Sequence, residues 1–247
     1  MILNWANGPY TDREKLIGTI YDSGVIRRSD LMFLLEWKRS KTDSHLLKLR
    51  QQDMLLTSRD HHSETVYMLS ESGVRAGHQL VGFDGKAVAM ENQISHQLGV
   101  NDILLRYIRA HGREGVRWYS TREASDELWN LRKKQGNNDA DIRKTYIRPD
   151  AAIRIPGKGI FWVEYDNATE SSRQIRKKHG LYVTNLLATK DPRVNRVVWV
   201  TPTIERARWL QQRWDEFEEN EVEMLFFVAG EETSFLAEER IKDQQTV

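Results

Sequence analysis

The chain has 247 residues, of which 39% are hydrophobic and 30% are charged, and its formal net charge is +1. At roughly 150 residues per domain, this length predicts one large domain or two modest ones. The apolar content is too high for a disordered chain, and the absence of cysteine from the sequence excludes disulfide scaffolds, thiolate metal sites and cysteine nucleophiles. We expect a cytoplasmic protein without a membrane partner, because its longest apolar runs fall far short of the roughly 20 residues that cross a bilayer.

The small net charge conceals an uneven distribution along the chain. Residues 215–247 contain eleven acidic and two basic residues, whereas residues 1–214 contain 35 basic and 25 acidic residues. A basic body with an acidic end suggests a polyanionic partner. A solvated surface followed by an acidic tail explains the same numbers.

The pattern of residues 1–80 predicts one compact domain of short helices and a hairpin. The predicted elements are helices over 12–21, 31–37 and 44–52, strands over 54–58 and 65–69, and a polar segment over 70–79. Three helices followed by a β-hairpin are typical of a winged helix-turn-helix, whose third helix enters the major groove of DNA. A winged helix used for protein contact or dimerisation is the alternative.

Basic and polar side chains concentrate on the third helix, its approach and the hairpin turn. This charge lies where docking on the phosphates of double-stranded DNA requires it. The candidate DNA-binding residues are Arg39, Lys41, Thr42, Ser44, His45, Lys48, Arg50 and Arg59.

Residues 81–230 show a different pattern, in which helices alternate with strands. The predicted elements are a helix over 91–110, a strand over 116–119, a helix over 120–135, a mobile loop over 135–141, strands over 146–155 and 160–166, a helix from a capping box at 167–170 to about 187, a strand over 196–201, a helix over 204–218 and a strand over 222–229. This order predicts a mixed sheet flanked by helices, in an α/β or α+β chain. Residues 231–247 are expected to form an acidic, flexible tail.

Three carboxylates fall on the central hairpin of this second domain. Glu164 and Asp166 alternate along the second strand and therefore share a face, and Asp150 lies on the first strand. A two-residue turn would place Asp150 opposite Tyr165, whereas a three-residue turn would place it opposite Glu164 or Asp166. Clustered carboxylates suit Mg²⁺ or Mn²⁺. An ion network with Arg148, Arg173 or Arg176 is the alternative.

These residues carry a resemblance to a known family. The order of elements, with acids on two neighbouring strands, resembles the PD-(D/E)xK nuclease fold. The winged helix, the sequences RPDA and VEYDNATE and a following basic helix resemble the replication-relaxation family of plasmids and mobile elements. The residues that carry the second resemblance are His96, Trp118, Glu123, Asp150, Glu164, Asp166, Thr169, Glu170, Lys178 and Tyr182.

The sequence departs from the nuclease pattern at one position. Asp166 stands two residues after Glu164, where the nuclease pattern has a lysine that holds or polarises the attacking water. Lys177 or Lys178 could reach back to the site from the next helix. The predicted catalytic set is therefore Asp150, Glu164 and Asp166 as metal ligands, Lys178 to stabilise phosphate charge, and His96 as a base or orienting group.

Three functions fit this sequence. The leading hypothesis is a DNA-binding protein of a plasmid or mobile element, acting in replication initiation or DNA processing, with a degenerate nuclease-like domain. The second is an active Mg²⁺- or Mn²⁺-dependent endonuclease or nickase, and the third is a winged-helix transcription regulator. A homodimer and contacts with replication or mobilisation machinery are further expectations.

Overall fold

The structure is a computed structural model that describes residues 2–83, 93–217 and 221–238. The chain divides into two compact units, Met1–Asn101 and Asp102–Val247. The predicted start of a helix at Glu91 lies outside the described residues, as does the last part of the predicted acidic tail, 239–247. In the described ranges, no helix is both long enough and apolar enough to cross a membrane.

The first unit combines helices with a small antiparallel sheet. Its elements are α1 (Ile2–Asn7), α2 (Asp12–Ser23), β1 (Val25–Arg27), α3 (Arg28–Leu35), α4 (Arg39–Gln51), β2 (Leu55–Arg59), β3 (Thr65–Leu69), α5 (Glu71–Val81) and the start of α6 (Ile94–His111). The sheet has the strand order β1-β3-β2, with Val25 opposite Met68 and Leu55 opposite Leu69. The predicted sequence of three helices and a hairpin is therefore present.

The polar segment predicted over 70–79 is instead the helix α5. Ser70 caps it by accepting a hydrogen bond from the backbone nitrogen of Gly73. Glycine lowers helix propensity, but here it permits close packing, since a Cβ atom at Gly77 would lie 2.3 Å from Cδ2 of Tyr21. Tertiary packing has overridden the local signal.

The second unit is a five-stranded mixed sheet flanked by helices. Its elements are the remainder of α6, β4 (Arg117–Ser120), α7 (Thr121–Lys134), α8 (Asp139–Lys144), β5 (Ala151–Ile155), β6 (Gly159–Tyr165), α9 (Ser172–Leu187), a 3₁₀ turn (Pro192–Val194), β7 (Arg196–Thr201), α10 (Ile204–Trp214), β8 (Glu223–Val228) and α11 (Glu231–Glu238). The strand order is β4-β5-β6-β7-β8, antiparallel from β4 to β6 and parallel from β6 to β8. The predicted mixed α/β class is confirmed.

Several local predictions in this unit are wrong, among them the strand over 146–155, which begins only at Ala151. The mobile loop over 135–141 contains the start of α8, whose first turn is capped by the Asn138 side chain. The capping box of α9 is formed by Ser171 and Gln174 instead of residues 167–170. Residues 231–238 of the expected flexible tail form α11.

A three-residue turn joins β5 to β6 and determines how the acids meet. Pro156, Gly157 and Lys158 lie between the paired residues Ile155 and Gly159, and the φ angle of 79° at Gly157 is one that glycine adopts without strain. Ala151 pairs with Val163, so the register continued by one residue puts Asp150 opposite Glu164. This is one of the two arrangements that the sequence left open for a three-residue turn.

Candidate functional site

Two successive helices pack on the face of the sheet that carries Glu164. The helix α9 connects β6 to β7, and α10 connects β7 to β8, which is parallel and next in order. Right-handed crossovers in one direction put both helices on the same face, and Ile175 of α9 and Leu210 of α10 do share one buried core cluster. Side chains of both helices therefore reach the end of β6.

Glu164 is completely buried and has a partner for each carboxylate oxygen. The hydroxyl of Tyr182 donates a hydrogen bond to Oε1, and Nζ of Lys178 lies 2.7 Å from Oε2. Lys178 also donates to Oε1 of Glu170 at 3.1 Å, and its Nζ lies 5.3 Å from the centre of the Trp199 ring. The predicted approach of Lys178 to the hairpin acids is therefore present.

Burial and neighbouring charges shift the pKa values in this cluster. Burial, together with the negative charge of Asp150, raises the pKa of Glu164 to about 8, and Lys178 and Tyr182 oppose this rise. Burial lowers the pKa of Lys178, but the charges of Glu164, Asp150 and Glu170 outweigh it and raise that pKa overall. Burial and the adjacent Glu164 raise the pKa of Tyr182 well above its usual value. Lys178 therefore stays protonated, and its ammonium is the cation that compensates Glu164.

Asp150 lies at the start of β5, and its carboxylate contacts the backbone of β6. Its Oδ2 accepts a hydrogen bond from the backbone nitrogen of Tyr165 at 2.9 Å, and its carbonyl accepts one from the Thr121 hydroxyl at 2.7 Å. The hairpin thus brings Asp150 and Glu164 together, as predicted from the sequence.

Asp166 is buried and pairs with a different cation, Arg206. Its Oδ2 accepts a hydrogen bond from Nε of Arg206 on α10, and its Oδ1 accepts one from the backbone nitrogen of Ala168 at 3.0 Å. Arg206 also donates to the backbone carbonyl of Glu170 at 2.8 Å. Nothing in the local sequence indicated this partner, which lies 40 residues away along the chain.

The acids of the predicted Mg²⁺ or Mn²⁺ site already have partners in the structure. In the part of the chain that the structure describes, no group of three or more His, Asp or Glu side chains is placed to hold a metal ion. Both oxygens of Glu164 face hydrogen-bond or ion-pair partners, and Asp166 is paired with Arg206. Metal binding by Asp150, Glu164 and Asp166 stays a prediction, and the arrangement of their partners argues against it.

His96 lies on α6 in the first unit, so its role as a base stays a prediction. Glu164 and Asp166 do pair with cations, but these are Lys178 and Arg206 instead of the arginines that the alternative named. Of those arginines, Arg176 pairs with Glu216.

His179, next to Lys178, is enclosed by aromatic rings. Its ring contacts those of Trp199, Trp214, Phe217 and Phe226 with centroids 5.3 to 6.0 Å apart, and neither ring nitrogen has a hydrogen-bond partner among the described residues. Burial and the positive charge of Lys178 lower the pKa of His179 to about 4. His179 is therefore neutral at physiological pH.

In the first unit, α4 and the β2–β3 hairpin form an open groove of about 730 Å³. Its lining residues include Leu46, Leu47, Arg50, Thr57, Arg59 and Tyr67. Leu47 is 56% exposed. The groove therefore combines basic groups with apolar and aromatic surface.

The predicted DNA-binding residues differ in their accessibility. Ser44, Lys48, Arg50 and Arg59 are exposed, and the side chain of Arg39 is 70% exposed. Lys41 and His45 both approach Asp12, with Lys41 Nζ 2.8 Å and His45 Nε2 3.7 Å from its carboxylate oxygens.

Thr42 was predicted to bind DNA, and the structure contradicts this prediction. It is fully buried, and its hydroxyl donates to the Lys38 carbonyl at 3.2 Å, so its side chain cannot reach DNA.

These features define a class of protein: a two-unit mixed α/β chain with a basic helix–hairpin surface in one unit and a buried ion cluster in the other. A family model described as replication-relaxation matches residues 19–197, and the chain belongs to this family, as the resemblance predicted. The family suggests a role in the replication or DNA processing of plasmids or other mobile elements. Searches of curated proteins and of solved structures found no match.

Proposed function

We propose that the protein binds double-stranded DNA through α4 and the β2–β3 hairpin, and that it acts in replication initiation or DNA processing of a plasmid or mobile element. The observation that carries this proposal is the open groove between α4 and the hairpin, with Arg50 and Arg59 on its two sides. Cationic side chains on a helix and an adjacent hairpin are suited to contact phosphates on either side of a DNA groove.

The order of elements supports a winged helix-turn-helix for this unit. The helices α2, α3 and α4 precede the hairpin, and the short strand β1 pairs with β3 to give the order β1-β3-β2. In this type of domain, the helix that precedes the hairpin enters the major groove. The corresponding helix here is α4, which carries Lys48 and Arg50.

The charges within the groove also support an anionic partner. The acid that lines it, Asp43, lies 3.3 Å from Arg28 and 3.6 Å from Arg39, so its charge is compensated. The exposed guanidinium and ammonium groups of Arg50 and Lys48 are thus left to determine the local potential.

The test is a salt titration of the affinity for a duplex oligonucleotide. We expect the double variant Lys48→Ala/Arg50→Ala to bind more weakly and to lower the slope of log affinity against log salt by about 2, because each lost phosphate contact releases about one counterion fewer. Arg75→Ala is the matched control, since Arg75 is an exposed arginine on α5 with a side chain 63% accessible. Equal affinities and equal slopes for wild type and double variant would refute the proposal.

Metal-dependent nicking is the second candidate, and one observation favours it. Lys178 meets Glu164, and Asp150 stands opposite on the neighbouring strand, as a nuclease of the predicted type would require. We expect supercoiled plasmid to remain intact with Mg²⁺ or Mn²⁺, because the acids already have cationic partners. Nicking by the wild type that disappears in Glu164→Gln would establish this candidate instead.

A further inference from the structure

Near the end of β6, the ammonium group of Lys178 on α9 lies among three carboxylates. Nζ of Lys178 lies 2.7 Å from Glu164 Oε2 and 3.1 Å from Glu170 Oε1, and the charge of Asp150 also acts on it. We propose that the Lys178 ammonium is the resident counter-ion of Asp150, Glu164 and Glu170, and that it excludes a divalent cation from these acids. This proposal concerns the second unit alone and does not depend on DNA binding by the first.

The first argument is the coordination that a divalent ion would need. Mg²⁺ requires nearly octahedral oxygen coordination and usually keeps several water molecules. Glu164 is inaccessible to solvent, its Oε1 accepts the Tyr182 hydrogen bond, and its Oε2 faces the ammonium. A hydrated ion could bind Glu164 only by displacing Lys178.

The second argument is that the ammonium is held in position. The Lys178 side chain is 21% exposed, and the carboxylates of Glu164 and Glu170 approach its nitrogen, which also lies near the Trp199 ring. A cation near an aromatic face is attracted to the ring as well as to the acids. The lysine is therefore a fixed part of the cluster.

The third argument concerns what the cluster would offer without this lysine. Oε2 of Glu164 and Oε2 of Glu170 are both buried and have no hydrogen-bond partner among the described residues, apart from the ion pair that Lys178 makes with Glu164. Removal of the ammonium would leave these oxygens without compensation, and hard oxygen ligands with uncompensated negative charge attract Mg²⁺ or Mn²⁺. The proposal thus predicts that metal affinity appears when Lys178 is removed.

The test is a calorimetric titration of the full chain with MnCl₂, together with thermal melting with and without Mn²⁺. The variants are Lys178→Met, Asp150→Asn and the double variant Lys178→Met/Asp150→Asn. Lys177→Met is the matched control on an exposed neighbour of the same helix. We expect wild type and Lys177→Met to show no saturable binding and no shift in Tm. Lys178→Met should bind Mn²⁺ at least about tenfold more tightly than wild type, and the added Asp150→Asn should reverse the gain.

Two results would overturn the proposal. One is saturable Mn²⁺ binding by the wild type that Asp150→Asn removes. The other is a folded Lys178→Met variant with no more Mn²⁺ affinity than the wild type. If Lys178→Met is unfolded without metal, refolding on addition of Mn²⁺ supports the proposal. The proposal is refuted if Mn²⁺ raises the Tm of the wild type but not the Tm of Asp150→Asn.

Discussion

Tyr182 donates the hydrogen bond that occupies Glu164 Oε1, and both side chains are completely buried. The bond joins α9 to β6 across 18 residues of sequence. Tyr182 carried part of the family resemblance in the sequence, and this contact gives it a physical role.

Tyr182→Phe should therefore lower the free energy of unfolding. The substitution keeps the ring but leaves a buried carboxylate oxygen without its donor, which costs about 1–3 kcal/mol. Urea denaturation measures the loss. Tyr146→Phe is the control, because Tyr146 is 39% exposed and its hydroxyl can be replaced by water. Equal losses in the two variants would contradict the assigned role.

The neutral, enclosed His179 predicts a pH dependence of stability. Its pKa is about 4 in the folded protein and about 6.5 in the unfolded chain. As the pH falls, the unfolded chain therefore takes up the proton before the folded protein does. The free energy of unfolding that neutral His179 contributes is complete above pH 6.5 and declines as the pH falls toward 4. The full loss is of the order of 3 kcal/mol.

The measurement is the free energy of unfolding of wild type and His179→Phe between pH 4 and pH 7. The phenylalanine cannot titrate, so the difference between the two curves isolates the histidine from the carboxylates that titrate in the same range. The prediction is wrong if that difference is constant across the range.

Arg206 is the cation that compensates the buried Asp166, so Arg206→Ala should be strongly destabilising. Breaking a buried pair by removing one partner costs about 3–5 kcal/mol, because the remaining charge is uncompensated. Arg208→Ala, two residues away on an exposed position of α10, should change stability by less than about 0.5 kcal/mol. Chemical denaturation of the two variants provides the comparison.

Substitutions of Arg59 and of Thr42 should have different effects on the affinity for DNA. Arg59 is exposed at the groove, and Arg59→Ala should weaken binding to all duplex sequences and lower the salt slope by about 1. Thr42 is buried, so Thr42→Val should leave affinity and slope unchanged. Fluorescence anisotropy at several salt concentrations measures both. An equal effect of both substitutions would exclude the groove as the contact surface.

The sequence predicted the elements whose patterns are local and strong. The strand Arg196–Thr201 has the predicted bounds, because a continuous run of buried apolar residues identifies a central strand. The alternation of Glu164 and Asp166 correctly predicted that they share a face, and the turn between β5 and β6 limited the position of Asp150 to a few alternatives. These are short-range properties of strands.

The partners of the acids could not be derived in this way. The pair of Asp166 with Arg206 depends on how α10 returns to the sheet, and no spacing in the sequence indicates it. The burial of Thr42 depends on which face of α4 meets the core, and a count of basic and polar residues does not reveal that face. The segment over 70–79 was predicted only as polar, whereas in α5 Gly73 and Gly77 allow close packing against Met54 and Tyr21.

The alternation of side chains along β6 makes both ion pairs sensitive to one change in chain length. Glu164 meets a lysine of α9 and Asp166 meets an arginine of α10, while Tyr165 between them points to the opposite face. One residue inserted in β6 before Glu164 would turn both carboxylates away from their helices and leave Lys178 and Arg206 without their acids. Natural length variation in this family should therefore spare β6.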